Sequence, residues 1–165
     1  EGRLQRLQEN LQRLALGAAT VAADAAKWQP PAPADAVLLD APCSATGTLR
    51  RHPDIAYLKG SQDVAGLTRA QDRLLANAVK MVKPGGLLVY AVCSLQPEEG
   101  PQRIAALLGG DPRVERVPVT PAELPGLEDA VTAEGNLRTL PCQLAGPGTP
   151  GGGLDGFYAC RLRRV

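Results

Sequence analysis

Leucines at positions 4, 7, 11 and 14 recur at spacings of three and four, with Arg3, Arg6, Gln8, Glu9 and Arg13 between them. That is the period of a one-faced helix, predicted over residues 1–16. It begins without a capping residue or a preceding loop, as expected of a piece cut from a longer chain. A short apolar run at residues 20–23 ends on Asp24 and predicts a strand; the proline-rich residues 29–34 predict a loop. Residues 36–39 are unbroken apolar between Asp35 and Asp40, the pattern of a strand buried on both faces of a parallel sheet. Apolar positions at 64, 67, 74, 75, 78, 79 and 82 predict a long helix over residues 63–82, stopped by Lys83-Pro-Gly-Gly86. Residues 87–92 form a second apolar run. Pro97, followed by Glu98 and Glu99, then predicts a helix reaching about Leu108.

Beyond Gly109 the alternation of helix and strand gives way to residues 114–119, an edge strand by virtue of Pro118, and residues 156–162, whose alternation predicts a strand antiparallel to it. The Gly- and Pro-rich residues 121–153 between them predict a long flexible surface loop. The sum is an α/β domain with a mostly parallel sheet and an antiparallel edge strand.

Composition narrows the function classes. With 44% hydrophobic and 21% charged residues in 165, one globular core is expected. A net charge of +1 gives no global polycationic signature, so nucleic-acid binding has to come from local patches. No apolar stretch approaches the roughly 18 residues of a membrane span, and the amino terminus carries no signal-like pattern, so a cytoplasmic protein is expected. The four cysteines, at 43, 93, 142 and 160, include no CxxC pair and have no close histidine. Zinc spacings are therefore missing and no metal is expected.

In open parallel sheets, ligands sit at the carboxyl ends of the strands, where both Asp40-Ala-Pro-Cys43 and Cys93-Ser94 fall. Two thiols far apart in sequence are thus expected to face one cleft. Asp40-Ala-Pro-Cys-Ser-Ala-Thr-Gly47, Arg50-Arg-His-Pro-Asp54 and Tyr90-Ala-Val-Cys-Ser-Leu-Gln-Pro-Glu-Glu99 resemble consecutive motifs of the RsmB/Nop/Sun family. Members of that family are RNA 5-methylcytosine methyltransferases that use S-adenosylmethionine. The resemblance runs from the first helix to Asp155-Gly-Phe-Tyr158, and the bacterial ribosomal-RNA branch is the best match.

The resemblance implies a Rossmann-like methyltransferase fold and a division of labour between the cysteines. Carbon 5 of cytosine is too weak a nucleophile to attack a sulfonium methyl unless a thiolate first adds to carbon 6. By resemblance Cys93 is that nucleophile, and Cys43 assists removal of the carbon 5 proton and product release. The helix expected at Pro97 would favour the Cys93 thiolate through its dipole, with Glu98 and Glu99 opposing. Asp40 is implied to hydrogen-bond the cytosine amino group and ring nitrogen, with the bland alternative of a strand-end cap. Asp24, Asp40 and Pro42 are implied on the methyl-donor side, Asp24 at its adenine end, against the alternative of an exposed turn aspartate. Arg50, Arg51 and His52 form the basic cluster expected to contact RNA phosphates, the alternative being a solvated loop. Arg161, Arg163 and Arg164 read as a solvated end. Pro141-Cys-Gln143 imitates the nucleophile tripeptide of DNA cytosine methyltransferases but sits in the Gly/Pro-rich loop, and Cys160 reads as a packed strand residue.

The family's glycine-rich donor loop and ribose-binding acid lie upstream of Glu1 in this pattern. The chain therefore reads as the carboxyl-terminal part of a catalytic domain, residues 1–165, without its first two strands, and is expected to bind the donor weakly on its own. Val92 replaces a more usual Thr before the second cysteine, and Tyr57 a common Trp. Rival readings are the same chemistry on transfer RNA, or a non-catalytic RNA-binding fragment.

Overall fold

The structure, a computed structural model, describes residues 2–58, 60–144 and 153–165. Helix α1 (Gly2–Arg13) follows the leucine period, but its apolar face is largely open: Leu7, Leu14 and Leu16 beyond it are all exposed. Residues 20–23 do not form the expected strand. They have no ladder partner among the described residues, and an apolar run becomes a strand only when its N–H and C=O groups are paired.

Strand β1 (Ala34–Asp40) is longer than its apolar run, and it is an edge rather than a doubly buried strand, with Leu38 at 72% exposure. Val37 and Leu39 turn inward against the core. A 3₁₀ turn (Thr46–Thr48) and the short helix α2 (Ile55–Leu58) lead to α3 (Ser61–Met81), which begins and ends within two residues of expectation. Leu75, Ala78 and Val79 of α3 are buried under the sheet.

Strand β2 (Val82–Val92) starts earlier than its apolar run because Lys83-Pro-Gly-Gly86 does not interrupt it but bulges out of it. Ala34 pairs with Val82 and Ala36 with Leu87, so two residues of β1 span five of β2. Gly85, at φ +79°, takes the left-handed backbone the bulge needs. Val82, Leu88, Tyr90 and Val92 form the centre of the core.

Residues 97–100 form a turn, and the last helix, α4 (Pro101–Gly110), starts four residues later than expected, with Pro101 rather than Pro97 in its first turn. Both prolines suit a helix start, and spacing alone does not separate them. Strand β3 (Val114–Arg116) stops before Pro118 and pairs antiparallel with the terminal strand. Residues 121–144 are more ordered than a flexible loop: two 3₁₀ turns (Pro121–Glu123 and Glu128–Ala130) precede β4 (Leu137–Thr139), and Ala130 and Asn136 are buried. Residues 145–152, the most Gly/Pro-rich part of the expected loop, lie outside the described residues.

The terminal strand β5 (Phe157–Arg164) is central, giving the sheet order β1-β2-β5-β3 with β4 also on β5. Only β1 and β2 run parallel among the described strands; β5 is antiparallel to β2, β3 and β4. Arg163 is exposed, as expected of a solvated end, whereas Arg161 and Arg164 are partly buried and tie β5 to its neighbours. Arg161 pairs with Glu123 at 2.8 Å, Arg163 with Glu115 at 3.2 Å, and Arg164 donates to the Val82 carbonyl at 2.6 Å. The β5 alternation aims successive residues at opposite faces, and its neighbours supply the acceptors.

Candidate active site

Because β1 and β2 are adjacent and parallel, their carboxyl ends lie side by side, with Asp40 opposite Ala91 and the Ala41 N–H donating to the Ala91 carbonyl at 2.9 Å. The two loops that leave these ends converge. Gly47 N–H donates to the Cys93 carbonyl at 3.0 Å, and Gly156 N–H to the Gly47 carbonyl at 2.7 Å. A Cβ at Gly47 would stand 1.8 Å from the Gly156 carbonyl oxygen, so only glycine permits this approach.

The consequence is a thiol pair: Cys43 Sγ and Cys93 Sγ are 3.4 Å apart, both half-buried and both free. Within that pair the sulfurs differ. A hydrogen bond from the Cys43 thiol holds Cys93 down to about 7, against partial burial and the repulsion of Asp40 and Glu99. The same contact, with burial, pushes Cys43 far up. The contact thus favours the thiolate at Cys93 and the thiol at Cys43. Helix α4 starts eight residues after Cys93, beyond the first-turn reach of a dipole, so the thiolate preference comes from the neighbouring thiol and not from a helix terminus.

Both cysteine loops hang from one buried side chain, Glu99. Its carboxylate accepts from the Ser44 N–H at 2.9 Å, from the Ser44 and Ser94 hydroxyls at 2.5 Å each, and from Gln71 Nε2 of α3 at 3.2 Å. Ser44 and Ser94, each next to a cysteine in sequence, are fully buried, as are Gln71 and Glu99. Gln71 also donates to the Pro42 carbonyl at 2.8 Å, and the buried Tyr90 hydroxyl donates to the Glu99 carbonyl at 2.6 Å. Sequence reasoning took Glu99 for a first-turn helix acid and missed this role. The one available signal was Ser at both Cys-Ser dipeptides, two small hydroxyls that need a common acceptor.

The other expected site residues fall around this centre. Asp40 is exposed at the end of β1, with its charge close enough to oppose the Cys93 thiolate. Pro42 is exposed beside Cys43. Asp24 is exposed and caps its own turn through the Ala26 N–H at 3.0 Å. Arg50 and Arg51 both reach Asp155, Arg50 at 3.1 Å; Arg51 lies within the field of Cys93. His52 is exposed in the same turn. Cys142 lies exposed in a turn away from the pair, and Cys160 is fully buried in β5. Among the described residues no cluster of His, Cys, Asp or Glu is suited to a metal ion, and no helix is long and apolar enough to cross a membrane.

Two parallel strands with a ligand-accessible carboxyl end, continued by an antiparallel terminal strand and flanked by helices, define a Rossmann-like methyltransferase fold. The crystallised protein PH0851 superposes with a TM-score of 0.80 at 30% identity over 99% of this chain and 35% of its own. A methyltransferase homolog from Pyrococcus horikoshii superposes at 0.70 and 28% identity, over 99% of this chain and 50% of its own. The chain belongs to the 16S rRNA methyltransferase RsmB/F family, whose pattern it matches over residues 1–163. It is 40% identical to ribosomal RNA small subunit methyltransferase B of Shewanella oneidensis over 99% of this chain, and 44% identical to the Vibrio cholerae protein of that name over 78%. It spans about a third of the length of these relatives, 35% and 31% respectively.

Proposed function

We propose that this chain is the carboxyl-terminal part of the catalytic domain of an S-adenosylmethionine-dependent RNA (cytosine-5) methyltransferase, acting on small-subunit ribosomal RNA in the cytoplasm. The observation that carries the reading is the contact of two free thiols, 3.4 Å apart, at the carboxyl ends of two adjacent parallel strands. A lone thiolate suffices to add to carbon 6 of a pyrimidine; a second thiol in contact with it is what the reverse step needs.

The residues act in sequence. The Cys93 thiolate forms a bond to carbon 6, and the electron pair released from the ring makes carbon 5 nucleophilic, with Asp40 holding a proton on the cytosine ring. Bound S-adenosylmethionine supplies an electrophilic methyl group. Once Cys93 is a thioether, the charge that raised Cys43 is gone. Its thiol then loses its proton more readily and can take the carbon 5 proton, directly or through solvent. As that proton leaves, the electron pair returns to the ring and expels Cys93 as a thiolate, which the Cys43 thiol again stabilises. Asp24, Asp40 and Pro42 are the residues assigned to the donor, and each is exposed and so open to a ligand. β1 is an edge strand among the described strands, which supports placing further strands of the sheet beyond it.

The test is covalent trapping. In the full-length protein, Cys43→Ala is expected to accumulate a protein–RNA adduct at Cys93 with a ribosomal RNA fragment and methyl donor, and Cys43→Ala combined with Cys93→Ala to abolish it. An adduct that survives in the double variant sinks the assignment of Cys93.

A further inference from the structure

Two thiols in contact can bond to each other as well as to a substrate. Cys43 Sγ and Cys93 Sγ, 3.4 Å apart, are both free and both partly open to solvent. They stand three residues past the end of β1 and one past the end of β2, strands that are neighbours in a parallel ladder. The spacing of such a ladder, about 4.8 Å, lies within the span of about 4.4–6.8 Å between the α-carbons that a disulfide joins.

The backbone holds the sulfurs together. The Ala41 N–H donates to the Ala91 carbonyl at 2.9 Å and the Gly47 N–H to the Cys93 carbonyl at 3.0 Å, so hydrogen bonds between the two loops bracket the pair. Glu99 adds a third tie through the hydroxyls of Ser44 and Ser94, the residues that follow each cysteine. Closing the sulfur contact into a bond therefore calls on side-chain rotation more than on backbone movement. The same contact favours the thiolate at Cys93, the form that attacks a peroxide oxygen. An accessible thiolate with a second thiol at its side is the arrangement of redox-sensing cysteines, because the neighbour captures the first oxidation product before it is oxidised further. The remaining cysteines lack this arrangement: Cys160 is fully buried inside β5, and Cys142 is exposed in a turn.

We propose that Cys43 and Cys93 are also a peroxide-sensitive switch, which a hydroperoxide closes to a disulfide and a dithiol reductant reopens. The Cys93 thiolate attacks one oxygen of the hydroperoxide. The O–O bond breaks, the leaving oxygen takes up the proton that Cys93 had released, and Cys93 becomes a sulfenic acid. The Cys43 sulfur then attacks the Cys93 sulfur, the S–O bond breaks, and the hydroxyl leaves with the Cys43 proton as water. Two thiols lose two electrons together, and the peroxide gains them. In the disulfide Cys93 has no thiolate to add to carbon 6 of a pyrimidine, so methyl transfer stops while the nucleophile is spared irreversible oxidation. The disulfide rests on the thiol contact alone; its effect on RNA rests on the methyltransferase reading.

The test treats the full-length protein with hydrogen peroxide, blocks the remaining thiols and identifies the linked peptides by mass spectrometry. A Cys43–Cys93 disulfide is expected to accumulate and to vanish with dithiothreitol, whereas the urea-unfolded protein should give mixed pairs that include Cys142 and Cys160. In Cys43→Ala, prolonged peroxide should carry Cys93 on to sulfinic acid, which dithiothreitol does not restore. Methyl transfer to a ribosomal RNA fragment should fall in proportion to the disulfide formed and return on its reduction. The proposal is overturned if Cys93 of the parent protein reaches sulfinic acid while Cys43 stays a thiol, or if the native protein shows no preference for this pair over the unfolded one. Undiminished methyl transfer by the disulfide form overturns the switch. Failure of the methyltransferase reading shows separately, as absence of the Cys43→Ala adduct in reduced protein; the disulfide, read by mass, then stands or falls by itself.

Discussion

Replacing Glu99 by alanine removes the acceptor on which four donors converge: the Ser44 N–H, the Ser44 and Ser94 hydroxyls and Gln71 Nε2. Not all four are stranded. The two hydroxyls are 3.1 Å apart and can bond one another, and Gln71 keeps the Pro42 carbonyl. The Ser44 N–H has no alternative partner among its hydrogen bonds, and a side-chain-sized void opens between the two cysteine loops. A stranded buried donor costs about 1–3 kcal/mol and a truncated buried side chain about as much again, so Glu99→Ala is expected to destabilise by about 3–4 kcal/mol. For a chain of this size that is a fall of roughly 10 °C in melting temperature. Glu99→Gln keeps the volume and one acceptor and is expected to cost about 1–2 kcal/mol. It also removes a charge that opposes the Cys93 thiolate, so the alkylation midpoint of Cys93 should move down from about 7. Urea and thermal unfolding, with the pH profile of iodoacetamide labelling, read both effects. If Glu99→Ala unfolds within ~0.5 kcal/mol of the parent protein, as a surface substitution would, Glu99 does not hold the loops together.

Cys93 labelling should rise through a midpoint near 7, and Cys43→Ala, which removes the hydrogen bond that lowers it, should move that midpoint up toward ~8.5, the ordinary thiol value; an unchanged midpoint would mean that the thiol contact does not set the charge. Gly47→Ala drives a Cβ to 1.8 Å from the Gly156 carbonyl and should cost upwards of ~3 kcal/mol or prevent folding, as circular dichroism and melting would show. Asp155→Asn frees Arg50 and Arg51 from their shared carboxylate with little effect on stability, because these pairs are solvent-exposed. If the two arginines contact RNA phosphates, Asp155→Asn should preserve or tighten RNA binding, whereas Arg50→Ala and Arg51→Ala should each lower the salt dependence of log K by about one. A salt slope untouched by either arginine variant would remove both from the RNA interface.

Elements whose boundaries follow local chemistry were legible in the sequence. The α3 period, the strand-end cysteines and the β3–β5 pairing all stand where the pattern placed them, and the convergence of Cys43 and Cys93 followed from a general property of parallel strands. Local chemistry failed where two equivalent signals compete, as with Pro97 and Pro101, or where pairing decides, as at residues 20–23. It also misjudged Leu38, whose apolar neighbours imply burial on both sides; burial needs a second covering layer, and β1 has none on its outer side among the described residues.

Glu99 shows the harder limit. Two adjacent glutamates after a proline are the composition of a helix's first turn, and of the donors that set Glu99, fully buried, apart from Glu98, exposed, only Ser94 is local, five residues upstream. The others lie 28 and 55 residues upstream, on Gln71 and Ser44, and meet Glu99 only after α3 has packed beneath the strand ends. A motif that joins distant segments through one carboxylate is thus invisible as a pattern, yet it fixes the separation of the two sulfurs. The thiol pair follows from strand topology, but the 3.4 Å contact within it depends on a buried acceptor that the local pattern assigned to a helix's first turn.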